Sequence, residues 1–127
     1  MGDNVKITNG VRFVTHDGGV HVIRNKYNMH NIDKFGTIVI GNNVFIGINS
    51  IIMPNVVIGD NVVIGAGSIV TRDIPNNTIV CGFPAKEVKN IEEYYVSIKD
   101  DLDNTKMMYN AEKKRYLTDK YFNKKIL

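Results

Sequence analysis

The chain's best agents for moving a proton near neutral pH are three histidines, His16, His21 and His30. An imidazole titrates at about 6.5, so it can serve as a general base or, when neutral, as a metal ligand. His16 stands in the stretch FVTHDGGVHVIRN, Phe13 to Asn25, and Asp17 beside it is the nearest carboxylate by sequence that could fix its tautomer. A single loop histidine is more often structural than chemical, so residue type alone leaves both readings open. Cys81 is the one cysteine and cannot form an internal disulfide; it reads as a small buried or edge hydrophobe. A net charge of +3 is too small to imply nucleic acid, and much of the basic excess lies in Lys113, Lys114, Arg115, Lys120, Lys124 and Lys125.

What must position these groups is a repeat. Ile40, Ile46, Ile52, Ile58, Ile64 and Val70 fall at strict six-residue spacing, and four residues after each comes Val44, Ser50, Val56, Val62, Ser68 or Ile74. The pattern also opens the chain, with Met1, Ile7 and Phe13 in the aliphatic position. Neither a 3.6-residue stripe nor simple alternation explains a period of six with Gly, Asn and Asp between the aliphatics. Short strands separated by turns do: Gly-Asn, Asn-Asn and Gly-Asp pairs tolerate tight-turn dihedrals, and Val, Ile and Phe favour extended backbone. Three hexads close a coil of about eighteen residues, and stacked coils pair as parallel strands on each face of a prism. The rhythm lapses from Asp17-Gly18-Gly19 to about Ile38, an excursion of about twenty residues, long for a structureless connection and therefore expected to have work to do.

With 127 residues the chain fits one core, and only about three to four coils fit between Met1 and Cys81. Flat faces rich in Val and Ile, with an open first coil, call for burial against other copies of the chain. No long apolar span or secretory leader stands out, so a cytoplasmic location is the expectation. Pro75, Gly82 and Pro84 end the coils. Asn90 can cap a helix that opens with Glu92 and Glu93 and carries the stripe Ile91, Tyr94, Ile98 and Leu102; Asp103 and Asn104 break it, and a second helical run extends from Thr105 to Phe122. The organisation read from the sequence is thus a β-helix over 1–90 with an excursion loop at about 16–37, followed by a helical extension over 91–127.

The ordered set of hexads, a loop carrying TH, then IGNNVFIG, IGAGSIVTRDIP and GFPAKEV resembles the hexapeptide acyltransferase family, most closely its maltose, galactoside and capsular-polysaccharide O-acetyltransferases. The resemblance covers about Met1 to Tyr95. It implies an all-β, left-handed parallel β-helix, a homotrimer with active sites between subunits, and acetyl-CoA as co-substrate. It also implies His16 as general base on a hydroxyl of a sugar or polysaccharide precursor. A positioned imidazole speeds such an attack by about 10²- to 10⁴-fold, since a sugar hydroxyl is a poor nucleophile. The positions matching the family's cofactor contacts are Gly47, Ala66, Gly67, Thr71, Arg72, Lys86 and Lys89. Small residues let the pantetheine arm approach the backbone, and cations neutralise phosphates. Asp17 and Phe45 are the expected substrate contacts, Phe45 standing where relatives often carry tryptophan that lines the site from the neighbouring subunit. At Ile48 relatives often have a small polar residue that touches the cofactor, an interaction an isoleucine side chain cannot reproduce.

Two other readings remain at this point. Gamma-class carbonic anhydrases share the fold and bind zinc through three histidines, two of them five residues apart, as His16 and His21 are; their third ligand comes from upstream, and His30 would have to replace it. No metal is expected, and His21 and His30 are expected to shape the loop. The other is a non-catalytic or impaired β-helix trimer, because the family's earlier coils, with an asparagine that helps stabilise the tetrahedral intermediate, precede the residue matched by Met1.

Overall fold

In a computed structural model that describes residues 1–123, the hexads form a three-sided parallel β-helix. One face stacks β1 (Val5–Ile7), β4 (Val44–Ile46), β7 (Val62–Ile64), β9 (Thr78–Cys81) and β10 (Lys86–Asn90). The second stacks β2 (Arg12–Phe13), β5 (Ile51–Ile52) and β8 (Ile69–Val70), and the third pairs β3 (Val39–Ile40) with β6 (Val57–Ile58). Register follows the coil length: Val44 pairs with Val62 and Ile51 with Ile69, eighteen residues apart. Val5 pairs with Val44, 39 apart, so the excursion inserts 21 residues into one coil. In the last coil Ile58 bridges Ile74 and Val63 pairs with Ile79, 16 apart, because TRDI turns its corner two residues sooner than the others.

The predicted inward positions are the core. Ile46, Ile52 and Ile64 have no exposed surface, and Ser50 and Ser68 are equally buried. Both serine hydroxyls donate to the Gly65 carbonyl, at 3.1 and 2.6 Å, so neither is left unpaired in the core. In the first coil Met1, Ile7 and Phe13 are 70%, 41% and 37% exposed, which corrects the expectation that Phe13 is enclosed. Their side chains have a coil on one side of them only.

The corners explain the Asn and Gly of the repeat. The third residue after most inward aliphatics has a left-handed backbone: Asn4, Gly10, Asn43, Asn49, Asn55, Asn61, Gly67 and Asn77, with φ between 55° and 75°. Asn is the side-chain-bearing residue that visits this region most readily, so it spares the chain the flexibility of a glycine at every turn. Along one corner the amides also bond, Asn43 Nδ2 to Asn61 Oδ1 at 2.8 Å and Asn61 Nδ2 to Asn77 Oδ1 at 3.0 Å. Beside them Asn42, Asp60 and Asn76 each accept the backbone N–H of the equivalent residue one coil before, at 2.7 Å. A Cβ on Gly41 would lie 2.4 Å from Asp60 Oδ1, so that corner admits only glycine.

The chain divides into two compact units, Met1–Val96 and the residues from Ser97 onward. Asn90 caps α2 (Ile91–Ile98) as expected, accepting the Glu93 N–H at 2.7 Å while its own amide donates to Glu93 Oε1. In the second unit the helix expected from Thr105 to Phe122 is shorter: an α-helix occupies Asn110–Leu117 (α3) and a wider π-type turn follows over Thr118–Phe122. Asp103 closes this unit, accepting hydrogen bonds from Tyr116, Lys120 and Tyr121. These donors, Lys120 first, hold its carboxyl down at about 2, and the same contact raises the Lys120 ammonium above its ordinary value. Lys124 and Lys125 lie outside the described residues.

Candidate active site

His16 sits where the excursion leaves the prism. Val14 still donates to Ile52 O on the next coil, at 2.9 Å. Then His16 bridges Phe35 in antiparallel sense, flanked by Asp17 N–H to Lys34 O at 2.9 Å and Gly36 N–H to Thr15 O at 2.8 Å. The outgoing and returning strands therefore clamp each other at the root, and the bonds of Thr15 and Asp17 on either side of it hold His16 opposite Phe35.

The excursion itself is folded. Its helix α1 (Val20–Tyr27) ends at Asn28 in a left-handed conformation. Asp17 Oδ1 accepts the Gly19 N–H at 2.9 Å, turning the chain into the helix; Arg24 donates to Ile32 O at 2.6 Å and to Asp33 Oδ1 at 2.5 Å, tying the return strand to it. Sequence reasoning missed α1 because an apolar stripe of eight residues with an Arg and a Lys inside is short for helical periodicity to declare itself. His30 Nε2 lies 2.6 Å from Asn28 Oδ1 and His21 Nε2 lies 3.4 Å from Asn25 Nδ2, contacts that belong to the loop. Among the described residues no three His, Cys, Asp or Glu side chains gather as a metal-binding group.

A cavity of about 400 Å³ opens at this root. Val14, His16, Asp17 and Gly18 line one side, Lys34 and Phe35 the returning strand, and Met53, Pro54, Asn55 and Thr71 the corners of the next two coils. His16 and Asp17 from one motif and Thr71 from another thus line one cavity. Asp17 Oδ2 lies 3.5 Å from Lys34 Nζ, so the cavity carries one anion and one cation side by side. Sequence reasoning did not single out Met53, Pro54 or Asn55, although the coil length held the signal: Met53 stands eighteen residues before Thr71. For Lys34 and Phe35 the sequence carried no signal, since only the antiparallel closure of the loop brings them to His16.

The other predicted residues lie elsewhere on the chain. Arg72 is exposed beside Thr71. Gly47, Ala66 and Gly67 form a different corner. Gly47 is buried, and a Cβ there would lie 2.5 Å from Ala66 N, so coil stacking alone demands that glycine; Gly67 has φ +69° and open space on its side-chain side. Phe45 lies on β4, 38% exposed, over a second depression lined by Lys6, Asn43 and Val63. Lys86 and Lys89 sit on β10, and their placement depends on a bulge. Lys86 opposes Cys81 and Lys89 opposes Ile79, while Val88 has no partner, so residues three apart come to one face of the sheet instead of opposite faces.

Residues 37–72 match the family described as bacterial transferase hexapeptide (six repeats). The chain is 56% identical over 121 residues to protein CapG of Staphylococcus aureus, covering 95% of this chain and 69% of CapG. A maltose O-acetyltransferase structure from Clostridium difficile 630 superposes with a TM-score of 0.61 at 44% identity, covering 71% of this chain and 46% of that one. A galactoside acetyltransferase in complex with coenzyme A does so with a TM-score of 0.66 at 42% identity, covering 75% and 46%. The chain thus spans about two thirds of CapG and less than half of each of these structures. The repeat, the three-sided coil and these likenesses agree on the left-handed hexapeptide β-helix expected from the sequence, and the chain belongs to the hexapeptide-repeat acyltransferases.

Proposed function

We propose that this chain is an acetyl-CoA-dependent O-acetyltransferase acting on a hydroxyl of a sugar or polysaccharide precursor. The observation that carries the reading is the cavity in which His16 meets Asp17 and Thr71, in a chain similar to a galactoside acetyltransferase bound to coenzyme A. His16 takes the hydroxyl proton as the oxygen attacks the thioester carbonyl. The carbonyl oxygen bears the negative charge until the intermediate collapses, when the C–S bond breaks and the proton passes to the departing thiolate. Asp17 and Phe45 are substrate contacts, Asp17 from inside the cavity and Phe45 from a second copy.

Acetyl-CoA fits the residues present. The open side of Gly67, with Ala66 exposed beside it, lets the pantetheine arm run against backbone, and the bulge that sets Lys86 and Lys89 on one face groups two cations for phosphates, with Thr71 and Arg72 at the far corner. Gly47 keeps the coils close beneath the arm. These groups occupy different corners of one prism, which is the reason to infer a homotrimer with each site shared between two copies. Val39 and Val57 on one flat face and Ile48 at a corner, each 47–49% exposed, are the surface such copies would cover.

Thiol release from acetyl-CoA, measured with a panel of sugars, tests the reading. We expect turnover by the wild type and a loss of about 10²- to 10⁴-fold in His16→Ala with the fold intact. A protein that binds acetyl-CoA yet acetylates no acceptor would be a binding module, and one that does not bind it would sink the assignment.

A further inference from the structure

We infer that Phe35 is the acceptor-specificity residue of the His16 cavity, a platform for the apolar face of a pyranose ring; this rests on the function proposed above. Phe35 is 74% exposed, so its ring is open to a ligand, and it is fixed by backbone pairing directly opposite His16. Residues paired across a ladder share one face, so the ring and the imidazole stand side by side at the cavity mouth. A pyranose offers one face of C–H groups, which suits the negative face of an aromatic ring, and equatorial hydroxyls at its rim. The rim is served too: Asp17 and Lys34, 3.5 Å apart, present an acceptor and a donor whose charges balance, matching hydroxyls better than a charged group. A ring laid on Phe35 brings a rim hydroxyl to His16, and an open-chain polyol gains no such alignment. Phe45, over its own separate depression, does not supply this contact within the chain.

The test compares wild type, Phe35→Ala and Phe35→Tyr on methyl β-D-galactopyranoside, maltose and the open-chain polyol galactitol. Acetyl transfer is read by thiol release, and sugar binding by saturation-transfer NMR without acetyl-CoA. Phe35→Ala is expected to raise the pyranoside KM about tenfold, equivalent to about 1.4 kcal/mol, with the KM for acetyl-CoA and the oligomeric mass unchanged. Phe35→Tyr restores the wild-type value, and galactitol is indifferent to both changes. Equal pyranoside KM in wild type and Phe35→Ala overturns the inference while leaving the transferase reading intact. Absence of pyranoside binding by wild type, or a Phe35→Ala protein of altered mass, overturns it as well; acetyl-CoA binding, measured separately, reports on the transferase reading alone.

Discussion

His16 owes its position to one antiparallel bridge, whose hydrogen bonds are made by Thr15 and Asp17 on either side of it. Asp17, the obvious partner for the imidazole, spends Oδ1 on the Gly19 N–H and faces Lys34 with Oδ2, so its first service is to start α1 and close the loop. Asp17→Asn keeps the acceptor for Gly19 and removes the charge facing Lys34. We therefore expect a folded enzyme whose acceptor KM rises by a few-fold while acetyl-CoA binding holds, read by steady-state kinetics with both substrates varied. The ion pair itself is exposed on both sides and contributes little to stability.

At the scale of elements, corners and bulges matter more than strands. Asn61 combines φ +55° with amide bonds to both neighbouring coils. Asn61→Ala loses these bonds and must hold a left-handed backbone, at a cost of about 1–3 kcal/mol in chemical denaturation; Asn61→Gly recovers the backbone part alone. The bulge at Val88 makes a functional prediction. Deleting Val88 returns Lys89 to the opposite face from Lys86, so the KM for acetyl-CoA should rise about as much as in Lys89→Ala, on the order of a charge-assisted hydrogen bond or about tenfold. An unchanged KM in both variants would remove Lys89 from the cofactor site.

For the molecule as a whole, stability is carried by two independent devices. The prism depends on its stacked aliphatics: Ile52→Ala, at a position with no exposed surface, should cost about 2–5 kcal/mol. The unit from Ser97 onward instead hangs on Asp103. Its carboxyl is held at about 2 against an ordinary 3.8, so the unfolded unit binds the proton more readily than the folded one. The stabilisation is complete above about pH 4 and is lost as pH falls toward 2. Amide exchange across Asn110–Leu117 should accelerate in that window, and Asp103→Asn should show the fast exchange at neutral pH with no further acid step.

The sequence by itself determined the prism. A period of six is a local code in which each hexad carries its own inward aliphatic and, from Ile40 to Ile64, its own left-handed corner, so Ile40 through Val70 could be placed without knowing any distant contact. It also determined the cap at Asn90, since the Asn and Glu that make it are three residues apart. Only the tertiary structure decided the surroundings of His16. Lys34 and Phe35 reach it through the return of the loop, and Met53 and Thr71, whose eighteen-residue spacing the repeat already carried, reach it once the loop closes against the coils; away from that cavity, Lys86 and Lys89 share a face through a bulge that no pattern in EVKN announces. Each of these depends on where the chain comes back to, and pairing between segments distant in sequence is a property of the closed fold, not of any window within it.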